Sequence, residues 1–223
     1  MTNRSRRRAL AEETLAGYVH GPEAATEATA NALDRVAELA PGAIILVEGI
    51  SDQIAVETSA RRQERHLDDD GVVVLPVGGA QRMAHFIRRF GTGPEAVRLV
   101  GLCDAAEEPI VRSGLVRAGL GTTTDRASLA RLGFHVCDED LEDELLRALG
   151  TEATIELVER QGELGSFRTL QKQPAWRGRP PHEQLRRFLG SGARRKSRYA
   201  RLLVEALPAE RLPSPLVAVV DDA

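Results

Sequence analysis

The sequence predicts an α/β fold, a small parallel sheet flanked by helices, followed by a helical C-terminal part. Three observations carry that prediction. Residues 43–47, AIILV, form an unbroken apolar run of the kind found in strands buried on both faces. Similar runs recur at 72–77 (VVVLPV), 97–103 (VRLVGLC) and 134–137 (FHVC), with helix-length segments between them. Beyond Gly150 no strand pattern returns.

In chain order, residues 1–42 form an N-terminal helical segment. It has a basic start at Arg4, Arg6, Arg7 and Arg8 and a helix over 23–39 that Pro41-Gly42 ends. The first strand runs into Glu48 and Gly49. Ser51 is then a natural helix N-cap and Asp52 suits the positive end of the helix dipole, with the helix continuing to about His66. Asp68-Asp69-Asp70-Gly71 is a turn. Pro76 gives the second strand an end or edge position, and Gly78-Gly79 leads into an amphipathic helix through Met83, Phe86 and Ile87. The third strand delivers Asp104 and is followed by a helical segment to Leu120 and a short helix over 127–132. After the fourth strand comes a helix over 140–149, ended by Gly150. Helices are expected over 151–160, 165–171, 182–189 and 194–207, interrupted by the PAWRGRPP loop. These divisions give an N-terminal segment (1–42), an α/β domain (43–150) and a helical region (151–223).

Composition narrows the function. At 223 residues the chain can bury a core, and with 4% aromatic residues that core rests on Leu, Val, Ile and Ala. So few aromatics argue against an extended base-stacking surface. No apolar run approaches membrane-spanning length and no signal peptide is visible, so a cytoplasmic protein without membrane contact is expected. Cys103 and Cys137 lack metal-ligand spacing and read as buried reduced thiols. The net charge of -3 hides a division: residues 138–144, DEDLEDE, hold six acids, whereas residues 176–201 hold nine Arg and Lys against Glu183 alone. That pairing suits a metal site acting on a polyanion.

Glu48, at the carboxyl end of a strand, and Asp52, just past the turn, project where open α/β sheets bind ligands. Two hard oxygen donors at that spacing suit a divalent cation that keeps several waters. Asp104 occupies the equivalent place on the third strand. On the helix over 140–149, at about 100° per residue, Glu142 falls within the arc of Leu145, Leu146 and Leu149. Asp140, Asp143 and Glu144 fall outside it, toward solvent. An inward carboxylate needs a partner, and a shared metal would be one. Asp140 is either a helix cap or a further ligand.

VEGISD with Glu48 and Asp52, LCD with Asp104, and DLEDEL with Glu142 together resemble the TOPRIM domain of the OLD (overcoming lysogenisation defect) nucleases, over about residues 43–149. A lysine near the C-terminus, Lys196, extends the resemblance. It implies a Rossmann-like four-stranded parallel sheet and a carboxylate site for one or two Mg2+ or Mn2+ ions, with Glu48, Asp52, Asp104, Asp140 and Glu142 as ligands. The activity implied is phosphodiester hydrolysis on DNA or another nucleic acid, with Glu48, Asp52, Asp104 and Lys196 catalytic. The family's DxD motif has Ala106 in place of its second acid, leaving Glu107 or Glu108 as substitutes. OLD nucleases carry an ATPase domain, but the chain has no GxxxxGK[ST] loop, so a stand-alone form with any ATPase partner on a separate chain is expected.

Lys196 and Lys172 are the only lysines among thirty basic residues. A compact, mobile point charge at Lys196 suits an approach to the scissile phosphate. Arg177, Arg179, Arg186, Arg187, Arg194, Arg195 and Arg198 are expected to contact phosphates. The alternative reading is a degenerate TOPRIM module that binds nucleic acid or a partner protein without cutting. A dinucleotide-binding fold is disfavoured because GxGxxG is absent after the first strand.

Overall fold

The computed structural model describes residues 41–94 and 96–223. The expected helix over 23–39 and the basic N-terminal start lie outside the described residues.

Four apolar segments form the strands β1 (Ala43–Val47), β2 (Val72–Pro76), β3 (Arg98–Asp104) and β4 (Phe134–Cys137). All neighbouring pairs are parallel, in the order β2-β1-β3-β4. Pro76 ends the edge strand β2, where its missing N–H costs no ladder bond. The helices α1 (Ile50–Arg62), α2 (Ala80–Phe90), α3 (Glu108–Arg117) and α4 (Arg126–Ala130) lie in the connections between strands. From β1 the chain steps outward to β2 and then returns across β1 to β3. The strand order therefore reverses between β1 and β3, the position where such sheets form a ligand crevice.

Successive residues point to opposite faces of the sheet, so β1 supplies two cores. Ile44 and Leu46 pack with Phe86, Ile87 and Leu115 of α2 and α3. Ala43, Ile45 and Val47 face the other way, into a core shared with α1 and the C-terminal helices. Those helices are α5 (Leu141–Leu149), α6 (Thr151–Arg160), α7 (Leu164–Lys172), α8 (Pro181–Leu189), α9 (Ala193–Ala206) and α10 (Ser214–Asp221). Tyr199, Leu203 and Val204 of α9 and Leu216, Val219 and Val220 of α10 join this second core. The helical part thus covers one face of the sheet directly. Hydrogen bonds fix it there: Arg62 Nη2 donates to the Leu207 carbonyl at 2.6 Å, and Arg98 Nε to that of Asp222 at 2.6 Å. Cys103 and Cys137 are buried free thiols, as expected.

Two local expectations change. Gly49, not Ser51, is the N-cap of α1, because the chain turns immediately after Glu48 and helix begins at Ile50. The Asp52 carboxylate, on the third helical residue, accepts from the Gly49 N–H at 2.9 Å and does the capping that serine was expected to do. The helix α10 was not foreseen. Its apolar LVAVV core carries no helical periodicity, and its helix-starting signal, Pro215 in the first turn, is a single residue. Among the described residues no helix is long and apolar enough to cross a membrane.

Candidate metal centre and nucleic-acid interface

The switch point between β1 and β3 brings the first acids together. Leu46 pairs with Gly101, so the residues just beyond, Glu48 and Asp104, emerge side by side at the carboxyl edge. The backbone N–H of Asp104 donates to Glu48 Oε1 at 3.2 Å. Asp52 sits at the start of α1 below them. From the other side α5 contributes Glu142, and α9 contributes Lys196, whose Nζ lies 3.2 Å from Glu142 Oε1. The left-handed backbone of Gly192 (φ 97°) sets where α9 begins, and Lys196 N–H closes its first turn on the Gly192 carbonyl at 3.0 Å.

The carboxylates raise one another's proton affinity. Burial first, then a hydrogen bond with Glu107 and the charge of Asp104, push Glu48 up to about 9. Two carboxyls can share a hydrogen bond only when one keeps its proton. Burial, then the charges of Asp52, Asp140 and Glu142, push Asp104 up to about 7. Burial and the charge of Glu142 push Asp52 up to about 6, against the pull of Lys196. Glu142 is raised by burial, with Lys196 opposing. Burial alone would lower Lys196, but the charges of Glu142 and Asp52 outweigh it and hold the ammonium above its ordinary pKa. The site is an excess of buried acid with one internal cation.

Glu142 is buried at 8% exposure, facing inward as its helical position requires. Asp143 was expected to be solvated and is instead 6% exposed. The helix α8 closes over that side of α5, and Asp143 accepts a 2.6 Å contact from His182 and a 2.8 Å one from Arg147. Asp140 caps α5, accepting from the Asp143 N–H at 2.8 Å, while its other oxygen accepts from Arg186 Nε at 3.0 Å. Glu144, also expected to be solvated, is half-buried, accepting from the Asp138 N–H at 2.9 Å and lying 3.3 Å from Arg147.

Of the two substitutes for the missing second acid, Glu108 is occupied by Arg112 and Arg126, at 2.8 and 3.0 Å. Glu107 lies against Glu48, and its Oε2 is buried with no hydrogen-bond partner among the described residues. An orphaned carboxylate oxygen is costly to bury, and a cation is the partner that would satisfy it. In kind, these hard oxygens fit a divalent ion that keeps part of its water shell. In position they stand apart: among the described residues no three His, Cys, Asp or Glu side chains surround one point.

The expected phosphate-binding arginines divide. Arg195 donates to Glu163 at 2.8 Å, and Arg198 and the Tyr199 hydroxyl share the other oxygen of that carboxylate, Tyr199 at 2.9 Å. Arg186 is tied to Asp140, and Arg179 contacts Glu183 at 3.3 Å. Arg177 donates to the Lys172 carbonyl at 3.1 Å. Arg187 and Arg194 are exposed and have no ion pair among the described residues. Glu163, the hub of this arrangement, sits in a connection between helices with no signal in its neighbours to single it out.

Three comparisons with known proteins bear on this geometry. A family model, the TOPRIM domain of overcoming lysogenization defect protein-like proteins, matches residues 42–92, the span that includes β1, α1, β2 and α2. Among solved structures, the C-terminal region of the Burkholderia pseudomallei OLD protein is similar with a TM-score of 0.58 and 22% identity. That match covers 82% of this chain and 96% of the other. The corresponding region from Xanthomonas campestris pv. campestris gives a TM-score of 0.61 and 21% identity, covering 83% and 93%. No curated protein matches the sequence. Over residues 42–92 the chain is therefore similar to the OLD-like TOPRIM domain, and its fold is that of the C-terminal region of OLD proteins.

Proposed function

We propose that the chain hydrolyses phosphodiester bonds in DNA with the help of Mg2+ or Mn2+, as a TOPRIM nuclease. The observation that carries this reading is the set of acids at the sheet's switch point: Asp52, Asp104 and Glu142 act on the Lys196 ammonium, and Glu48 accepts from the Asp104 N–H. A structural ion-pair network would balance its charges, whereas here buried acids outnumber the cation. Glu48, Asp52, Asp104, Glu142 and the orphaned Glu107 would hold the ion. Asp140 orients the site by capping α5 and anchoring Arg186. A divalent ion in such a site polarises the phosphate and lowers the pKa of a bound water.

The protein's own part is positioning and charge. Lys196, whose short carboxylate contact among the described residues is with Glu142, would stabilise charge growing on the phosphate. Arg187 and Arg194, which neutralise no carboxylate among the described residues, hold the flanking backbone. Glu107 restores the acid that Ala106 removes from the DxD pattern, which favours catalysis over the degenerate reading. Supercoiled plasmid incubated with Mg2+ or Mn2+ tests the proposal. Wild-type protein should nick or linearise it, and Glu48→Gln, Asp52→Asn and Asp104→Asn should each abolish cutting while keeping a cooperative melt. Cutting undiminished in all three would sink it.

A further inference from the structure

A cavity of about 680 Å3 opens beside the carboxylate site, with Glu142 and Lys196 among its lining residues together with Trp176, Arg179 and Arg187. Its volume lies within the roughly 300 to 1,000 Å3 typical of ligand sites. Most acids on its walls have basic partners: Asp140 has Arg186, Glu142 has Lys196, Asp143 has Arg147 and Glu183 has Arg179, while Glu139 lies 3.9 Å from Arg186. Arg187 is a lining cation with no ion pair among the described residues, which leaves it available to a phosphate.

Trp176 is the only tryptophan in a chain with few aromatics. It is not in either core but in the loop between α7 and α8, where the loop's own hydrogen bonds hold it. Its N–H donates to the Gln173 carbonyl at 2.9 Å, and its carbonyl accepts from Arg179 N–H at 3.2 Å and from Gln184 Nε2 at 2.8 Å. Gln184 is 5% exposed and is itself held by Gln171 at 2.7 Å. A buried amide is thus committed to fixing the loop at the tryptophan, and the Arg179 guanidinium lies 5.2 Å from the ring centre. A side chain whose backbone is held before binding loses less freedom when a ligand stacks on it.

We propose that this cavity is a stacking subsite for one unpaired base of a single-stranded or frayed strand, with Trp176 as the stacking surface and Arg187 on a neighbouring phosphate. The inference rests on the proposed nuclease reading, since the strand reaches the cavity from the phosphate held at Lys196. It also adds a strand preference to that reading. Every base offers a π-face, but a base within a duplex is already stacked, so only a splayed or single-stranded nucleotide can enter. One ring can hold one base, so no sequence preference follows.

The sole tryptophan is its own reporter. In EDTA, where neither metal binding nor cleavage contributes, a short oligothymidylate should quench the fluorescence of Trp176, and an abasic strand of equal length and charge should not. Trp176→Ala should weaken oligothymidylate binding, read by anisotropy, about tenfold, with abasic-strand and duplex affinities unchanged. Trp176→Phe should retain most of the wild-type affinity, which guards against a folding defect in the alanine variant. Equal quenching by the abasic strand, no quenching by either strand, or an alanine variant with wild-type oligothymidylate affinity would each overturn the subsite. Asp104→Asn should quench like wild type whether or not it cuts plasmid, so loss of the nuclease reading and loss of the subsite give different results.

Discussion

Two of thirty basic residues are lysines, and the one on α9 places its ammonium 3.2 Å from Glu142. Arginine there would keep the charge but spread it over a planar fork that cannot occupy the same point. Lys196→Arg is therefore expected to bind DNA within about twofold of wild type and to cut on the order of 100-fold more slowly, as loss of one well-placed electrostatic donor does. Single-turnover cleavage beside a binding isotherm separates the two effects, and cutting at the wild-type rate removes Lys196 from the reaction. Glu107 gives a second contrast. Its buried oxygen has no partner among the described residues, whereas Glu108 is bound by two arginines. Glu107→Ala should lower Mn2+ affinity by about tenfold, as the loss of a ligand or its support does, and Glu108→Ala should leave it unchanged. Equal calorimetric affinities for both variants would exclude Glu107 from the site.

At the scale of elements, α5, α8 and α9 decide which charges are available. Glu142 was legible as an inward acid because its spacing from Leu145, Leu146 and Leu149 is a property of one helix. The burial of Asp143 was not legible, because it depends on α8 folding back over α5 so that His182 reaches it. The basic run behaves in the same way. Spacing shows that α9 is rich in arginine, but the pairing of Arg195 and Arg198 with Glu163 is long-range in sequence. Arg187→Glu and Arg194→Glu should each reduce DNA affinity and lower the slope of log affinity against log salt by about 1 or more. Arg198→Glu should instead mainly lower stability, by setting a carboxylate against Glu163. Filter binding across a salt series, with melting curves for the same variants, checks this assignment. An unchanged salt slope for Arg187→Glu and Arg194→Glu would refute it.

For the whole molecule, the parallel sheet was legible because four apolar runs punctuated by turns leave few alternatives, and the carboxyl-edge position of Glu48 and Asp104 follows from strand polarity. What the runs do not encode is the sharing of one core between the sheet and α9 and α10, which arises from packing between distant segments. That packing is what desolvates the acids, and it gives the fold a pH dependence. Glu48, Asp104 and Asp52 are raised to about 9, 7 and 6, so the folded chain holds protons that the unfolded chain, with carboxyls near 4, has released. Stability from these groups is complete below the unfolded values and is lost as pH rises through the folded ones. In EDTA the melting temperature should therefore fall from about pH 5 to about pH 8, and Mn2+ should restore more of it at the higher pH, where the acids must ionise to bind. A melting temperature that rises over that range in EDTA, or a Mn2+ effect larger at the lower pH, would contradict the assignment.

Everything proposed for the reaction depends on the acids at the β1–β3 switch point holding a divalent metal, and calorimetric titration of Mn2+ into the protein measures that property itself. Wild-type protein should bind saturably at about pH 8, and Asp104→Asn should bind at least about tenfold more weakly, with both proteins melting cooperatively; the figure is the order of effect expected when one oxygen ligand is removed. No saturable binding by the wild type, or the same affinity in Asp104→Asn, would show that these acids are not a metal site.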